Sequence, residues 1–202
     1  MALDRIVVQI TRGLAPAQAI ADAAVAAMQH GLPYQLVSGH VAVEAKNMAA
    51  RLALDAQLGL VLCEDDVLAR PEQWHDILTD TTGAVLFADA LCQNATPNTQ
   101  YNSTGEFLYT GTILAYAPRE VLEAAAAHGP LFVASDWTPD GDDLHMVGTN
   151  HLGWGSDVYF WQRIRRVMPR PAIRSIGQVG HIMHPLNSGR HDLAAPTQMT
   201  VL

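Results

Sequence analysis

Four short apolar runs, "RIVVQI" (5–10), "YQLVS" (34–38), "LGLVLC" (58–63) and "AVLFA" (84–88), are separated by stretches of helical character. That alternation restricts the fold most, because strands interleaved with helices over short connections build a mainly parallel sheet covered by helices. Between the first two runs, an Ala-rich stretch from Pro16 to Gln29 reads as a helix stopped by His30-Gly31. Between the second and third, Val41, Ala45, Met48, Leu52 and Ala56 recur at helical spacing. "EQWHDIL", after Pro71, supplies a short helix before the fourth run. The expected fold class is α/β, with a mainly parallel sheet between helices in three layers.

The second half is less regular. Residues 92–106 are polar and rich in turn formers, which predicts a loop; "FLYTGTILAYA" follows as a strand or hairpin, and "PREVLEAAAAHG" as a helix with Pro118 early and Gly129 past its end. Residues 135–156 contain several acids and glycines with little periodicity, and a loop of that length is usually functional or mobile. "DVYFWQRIRRVM" resumes as a helix, and "AIRSIGQVGHIM" is a last extended segment. At 202 residues and 49% hydrophobic, the chain can bury one good core. A single domain over 1–186 is expected, with 187–202 as a loosely ordered tail.

Twelve basic against 20 acidic side chains give a net charge of −8, and the Arg cluster at 163, 165 and 166 is local. This balance argues against a broad grip on a phosphate backbone and favours a small partner over a nucleic acid. Cys63 and Cys92 suit buried free thiols in a reducing cytosol. No segment reaches the roughly 18 apolar residues of a membrane helix, and the start lacks a signal-peptide pattern, so a cytoplasmic protein is expected.

The third run ends without a spacer in Glu64, Asp65 and Asp66. In open α/β sheets, ligands bind beyond the carboxyl ends of the strands. If the extended chain continued, Glu64 and Asp66 would share a face about 6 to 7 Å apart, with Asp65 on the other. Like charges so close raise one another's energy unless a cation compensates, which a divalent ion would do. The alternative is a solvated turn whose acids cap the helix near Pro71.

The order "AKNMAARLALDAQLGLVLCEDDV" (45–67) places a Lys-Asn pair on a helix, then an apolar strand, then the acids. This resembles the nucleotide-sugar half of GT-A fold glycosyltransferases of the family-2 kind, in which a basic residue and Asn precede a strand ending in D-x-D. Here the motif departs to E-D-D. The resemblance implies a GT-A-like, Rossmann-like domain with a nucleotide-sugar-binding half over 1–91 and an acceptor and catalytic half over 92–186. It assigns Asp66 to a metal and Glu64 or Asp65 to the sugar side, gives Lys46 and Asn47 substrate-binding roles, and puts Thr11 and Arg12 near the nucleobase and phosphate. "FLYTGTILAYAPREVLE" resembles the middle of these enzymes, where Thr110, Gly111 and Thr112 would face the donor sugar; read alone, it is a core strand with a turn.

"GWGSDVYFWQRIRR" (153–166) puts an acid at a helix start. Ser156 is a good N-cap and Asp157 suits the helix dipole without any chemistry. The string also resembles the GT-A helix that supplies the catalytic base, with Ser156 in place of the first of two acids and Asp157 in register. Inverting sugar transfer needs such a carboxylate to take the acceptor proton. Trp154 reads either as a packing tryptophan or as a flat face for a sugar ring. In "GQVGHIMHP" (177–185), the resemblance makes His181 the late metal ligand, with His184 in reserve. A nitrogen ligand among oxygens suits Mn2+ or Mg2+, manganese somewhat more.

The expected function is therefore metal-dependent transfer of a sugar from a nucleotide diphosphate sugar to an acceptor hydroxyl, by a hexosyltransferase-like enzyme. A metal-dependent nucleotidyltransferase or phosphohydrolase using Asp65, Asp66 and His181 is the enzymatic alternative, and a non-catalytic nucleotide-sugar-binding module is the other. A serine hydrolase is disfavoured, because Ser156 follows no strand and lies in no nucleophile elbow. Phosphate-cradling glycine loops are missing from the sequence.

Overall fold

The structure is a computed structural model and describes residues 4–11, 17–39, 41–90, 98–151, 155–169 and 172–181. Its first half runs β1 (Arg5–Thr11), α1 (Ala17–Gln29), β2 (Tyr34–Ser38), α2 (Ala42–Asp55), β3 (Gly59–Glu64), β4 (Val67–Leu68), α3 (Pro71–Thr79) and β5 (Val85–Asp89). The second half adds β6 (Gln100–Tyr101), β7 (Phe107–Tyr109), β8 (Leu114–Ala117), α4 (Arg119–Ala126), β9 (Ser135–Asp140), β10 (Asp143–Thr149), α5 (Ser156–Val167), β11 (Ile173–Gln178) and β12 (Gly180–His181).

Six strands form the central sheet in the order β11-β5-β8-β3-β1-β2. Five are mutually parallel, and β8 runs antiparallel to both its neighbours. The period of two sends alternate side chains to opposite faces. Leu60 and Leu62 of β3, Val85 and Phe87 of β5, and Ala115 and Ala117 of β8 join one core with α2, α4 and α5. Val61 and Cys63, Leu86 and Ala88, and Leu114 and Tyr116 join a second core with α1 and α3. The sheet is thus covered by helices on both faces, a mixed α/β architecture compatible with a Rossmann-like fold.

Alanine makes the close helix-to-sheet contact possible. Ala45, Ala49, Ala50 and Ala53 of α2 are buried, and their small side chains let the helix axis approach the strands. Helix α5 is anchored differently, by an aromatic cluster: Phe160 stacks on Phe132 at 4.7 Å, and Trp161 meets Phe87 and Phe107 edge-on at 5.8 and 5.1 Å. Each such buried ring contributes roughly 1.5–3 kcal/mol by leaving water, so the start of α5 is held firmly against the sheet.

Three expectations are corrected. The segment 135–156 is not one long loop, because 135–149 forms the β9–β10 hairpin, turned at Gly141 with φ 58°. "FLYTGTILAYA" is interrupted: Phe107–Tyr109 pairs with β6, and only Leu114–Ala117 enters the main sheet. The N-cap of α5 is Gly155 instead of Ser156, which is the first helical residue and buried. Gly155 adopts φ 71°, and a Cβ there would lie 1.9 Å from the Ser135 carbonyl oxygen, so glycine alone fits. Among the described residues, no helix is long and apolar enough to cross a membrane.

Candidate functional site

The carboxyl ends of the parallel strands gather at one edge of the sheet and bring Thr11, Glu64 and Asp89 there. Because β8 runs the other way, its amino-terminal approach, Thr110 to Ile113, arrives at the same edge. The Glu64 amide donates to the Ile113 carbonyl at 2.7 Å and ties that approach to the end of β3.

Glu64 has the same parity as Leu60 and Leu62 and so faces α2. There it meets Lys46, whose Nζ lies 2.8 Å from Glu64 Oε1 and 2.6 Å from Asp157 Oδ1. The Thr112 hydroxyl donates to the same Asp157 oxygen at 2.6 Å. Residues from α2, β3, the approach to β8 and the start of α5 therefore converge, with Lys46 and Asp157 separated by 111 positions. Lys46 is 3% exposed; burial pulls its pKa down, but the carboxylates of Asp157 and Glu64 outweigh that and raise it, so the ammonium stays charged. Burial pushes Glu64 up; Lys46 opposes the shift, and Asp66 and Asp157 add to it. Asp157 is one-third exposed, and its Oδ2 has no hydrogen-bond partner among the described residues.

The strand ends at Glu64, and Asp65 and Asp66 form a turn, so the alternating placement expected for the three acids does not hold. Nor is the turn solvated. Asp65 and Asp66 are 2% and 0% exposed, and Asp65 Oδ2 accepts from the Thr11 hydroxyl at 2.5 Å, joining the ends of β1 and β3. The cap at α3 is made without them, by the Gln73 side chain accepting from the Arg70 amide. Cys63, a buried free thiol, has its pKa pushed well up by burial, with Asp66, Glu64 and Asp65 adding to the effect.

Lys46 and Asn47, expected to bind substrate, are both engaged within the fold. Lys46 is enclosed between two carboxylates and orders them. Asn47 donates to the Phe132 carbonyl at 2.8 Å and accepts from the Phe132 amide at 3.1 Å, so its side chain joins α2 to the backbone of another segment. Gly111 is buried against Asn98, and a Cβ there would fall 2.2 Å from Asn98 Nδ2, which explains the glycine through close packing. Arg12, Trp154, His184 and Cys92 lie outside the described residues, as does the side chain of His181.

The backbone of His181 pairs with Val67, the residue after Asp66, through the two-residue ladder of β12 and β4. Among the described residues, no group of three or more His, Cys, Asp or Glu side chains is arranged to hold a metal ion. Asp65 and Asp66 are adjacent buried carboxylates, oxygen groups of the type that hard divalent cations take.

Sequence reasoning missed Asp89. It follows the fourth apolar run as Glu64 follows the third, and that signal would have found it. Its Oδ1 accepts from the Thr99 hydroxyl at 2.7 Å, and the Thr99 and Thr110 hydroxyls are 3.1 Å apart, which ties the 98–113 segment to the same edge.

No protein-family model matches the chain, and no curated protein matches it. Among solved structures, the chain is similar to the crystal structure of A197 from STIV, with a TM-score of 0.56 and 15% identity over 89% of this chain and 86% of that one. At that identity the likeness is one of fold.

Proposed function

We propose that this chain is a GT-A type glycosyltransferase that moves a sugar from a nucleotide diphosphate donor to an acceptor hydroxyl with inversion. The observation that supports it best is the convergence of Asp157 with Glu64 on Lys46, at the carboxyl edge where α/β sheets take ligands. Lys46 and Thr112 fix one oxygen of Asp157 and thereby aim the other, which is free to accept from an incoming hydroxyl. In the reaction the acceptor proton passes to Asp157, the acceptor oxygen bonds to the anomeric carbon, and the bond from that carbon to the diphosphate breaks.

Asp66, with His181 as the further ligand and His184 in reserve, would hold Mn2+ or Mg2+, which would neutralise charge on the departing diphosphate.

The test is a panel of nucleotide diphosphate sugars with manganese, read by thermal shift for binding and by product analysis for transfer. Asp157→Asn is expected to cut transfer by about 10²-fold or more while sparing donor binding. Nucleotide hydrolysis without sugar transfer would favour the phosphohydrolase reading, and full activity of Asp157→Asn would overturn the assignment of the base.

A further inference from the structure

Helix α5 presents another face, turned away from Asp157. Tyr159, Gln162, Arg163 and Arg166 recur at helical spacing and share a side that Asp157 does not. Opposite them stands the β9–β10 hairpin, where Trp137 pairs with Met146 and Pro139 with Leu144, so that Trp137, Leu144 and Met146 turn one face toward the helix. Between the two lies a groove of about 270 Å³.

The groove is aromatic at one end and cationic along one wall. Trp137 donates its indole N–H to Ser135 Oγ at 2.9 Å, which fixes the ring, and lies 6.4 Å from Tyr159. Arg163, 6% exposed, sits over the Tyr159 ring at 5.4 Å and donates one Nη to the His128 carbonyl; its buried Nε has no hydrogen-bond partner among the described residues. Arg166 is exposed and has no ion pair among the described residues, whereas the neighbouring Arg165 is taken by Asp143. Among the described residues no acidic side chain lines the groove, although the chain as a whole carries −8.

Arg166, whose guanidinium has no ion pair among the described residues, and the charge of Arg163 stand beside a fixed indole and match a ring compound that carries an anion, since guanidinium binds phosphate and carboxylate through paired N–H groups. We propose that this groove is a binding site for a small ring compound bearing a phosphate or a carboxylate, separate from the carboxylate site at the other face of α5. It stands whether or not the chain transfers sugars.

The experiment is a tryptophan-fluorescence titration of the full chain with phenyl phosphate, glucose 6-phosphate and glucuronate, with glucose and inorganic phosphate as controls. Saturable binding of at least one anionic ring is expected, about tenfold or more tighter than either control. Arg166→Ala, a change at an exposed position, should weaken it about tenfold, as loss of a charge-assisted hydrogen bond does. Trp137→Phe should remove the fluorescence response, and Asp157→Asn should leave the affinity unchanged. The phosphate and carboxylate arms identify the preferred anion. Equal binding of glucose, an unaltered affinity in Arg166→Ala, or no saturation by any anionic ring up to about 10 mM, far weaker than a specific charge-assisted site, would overturn the proposal.

Discussion

Replacing Lys46 with methionine keeps most of the side-chain volume and removes the charge that Glu64 and Asp157 share. Removing one partner of a buried ion pair costs about 3–5 kcal/mol, because the remaining charge is left in a poorly solvating site. Glu64 is only 16% exposed and takes nearly the full penalty, while Asp157 at 32% is partly rescued by water. A loss of about 3 kcal/mol at pH 8 follows, at the lower end of that range. For a chain of 202 residues this corresponds to roughly 6–12 °C in Tm, at about 2–4 °C per kcal/mol.

The deficit has a pH signature. In the folded protein Glu64 already has a raised pKa, so the native state binds more protons than the unfolded chain above the ordinary value of 4.5. That contribution is fully present below 4.5 and is lost as pH rises through the folded value. Lys46 opposes the shift, and without it the folded value moves further up. The stability gap between Lys46→Met and the parent should therefore be widest at pH 8 and narrow toward pH 5. The raised pKa of Lys46 itself adds no slope there, since its stabilisation is complete below the unfolded lysine range. Urea unfolding at pH 5, 6.5 and 8 measures the gap directly. A deficit under about 1 kcal/mol at pH 8, the level of an exposed pair, or one of equal size at pH 5 and pH 8, would refute the account of Lys46 as the shared counter-ion.

The strands and helices of the first half were legible because each is specified locally, by an apolar run such as 58–63 or by the alanine spacing of α2. The direction of β8 was not legible, since a four-residue strand buried on both faces reads the same whichever way it pairs. That direction is what carries Thr112 to Asp157. The β9–β10 hairpin had a signal in Asp140-Gly141, but β9 is polar and largely exposed and the apolar residues of β10 are few and half-buried or exposed, so the alternation that marks a half-buried strand is faint. Asp157 and the acids after β3 were each visible as local oddities. Their union was not, because it depends on an ammonium reaching across from α2, and no local pattern encodes which carboxylates a buried lysine will meet. Asn47 shows the converse: the residue stood out in the sequence, and only the fold shows its amide committed to the Phe132 backbone.

Two further outcomes follow from the hydrogen bonding. Asn47→Leu should cost about 2–3 kcal/mol in urea unfolding, because the Phe132 amide and carbonyl lose both partners at once; donor binding by the folded variant should be unchanged. Asp143→Asn tests a charge pair of the opposite kind. Burial raises the pKa of Asp143, but hydrogen bonds from Arg165 and Gln162 and from the Leu144 amide outweigh it, and the value is pulled down to about 2. A depressed folded pKa means that the unfolded chain binds more protons between about 2 and 3.8, so the stabilisation is present above 3.8 and is lost as pH falls through 2. Nearly half of the Asp143 side chain is exposed, and screening by water limits the effect to about 1 kcal/mol at neutral pH. The stability difference between Asp143→Asn and the parent should be flat from pH 8 to pH 5 and close only below pH 3.8. A difference that shrinks between pH 8 and pH 5 would mean that the stabilisation comes from a group titrating there, and would remove Asp143 as its source.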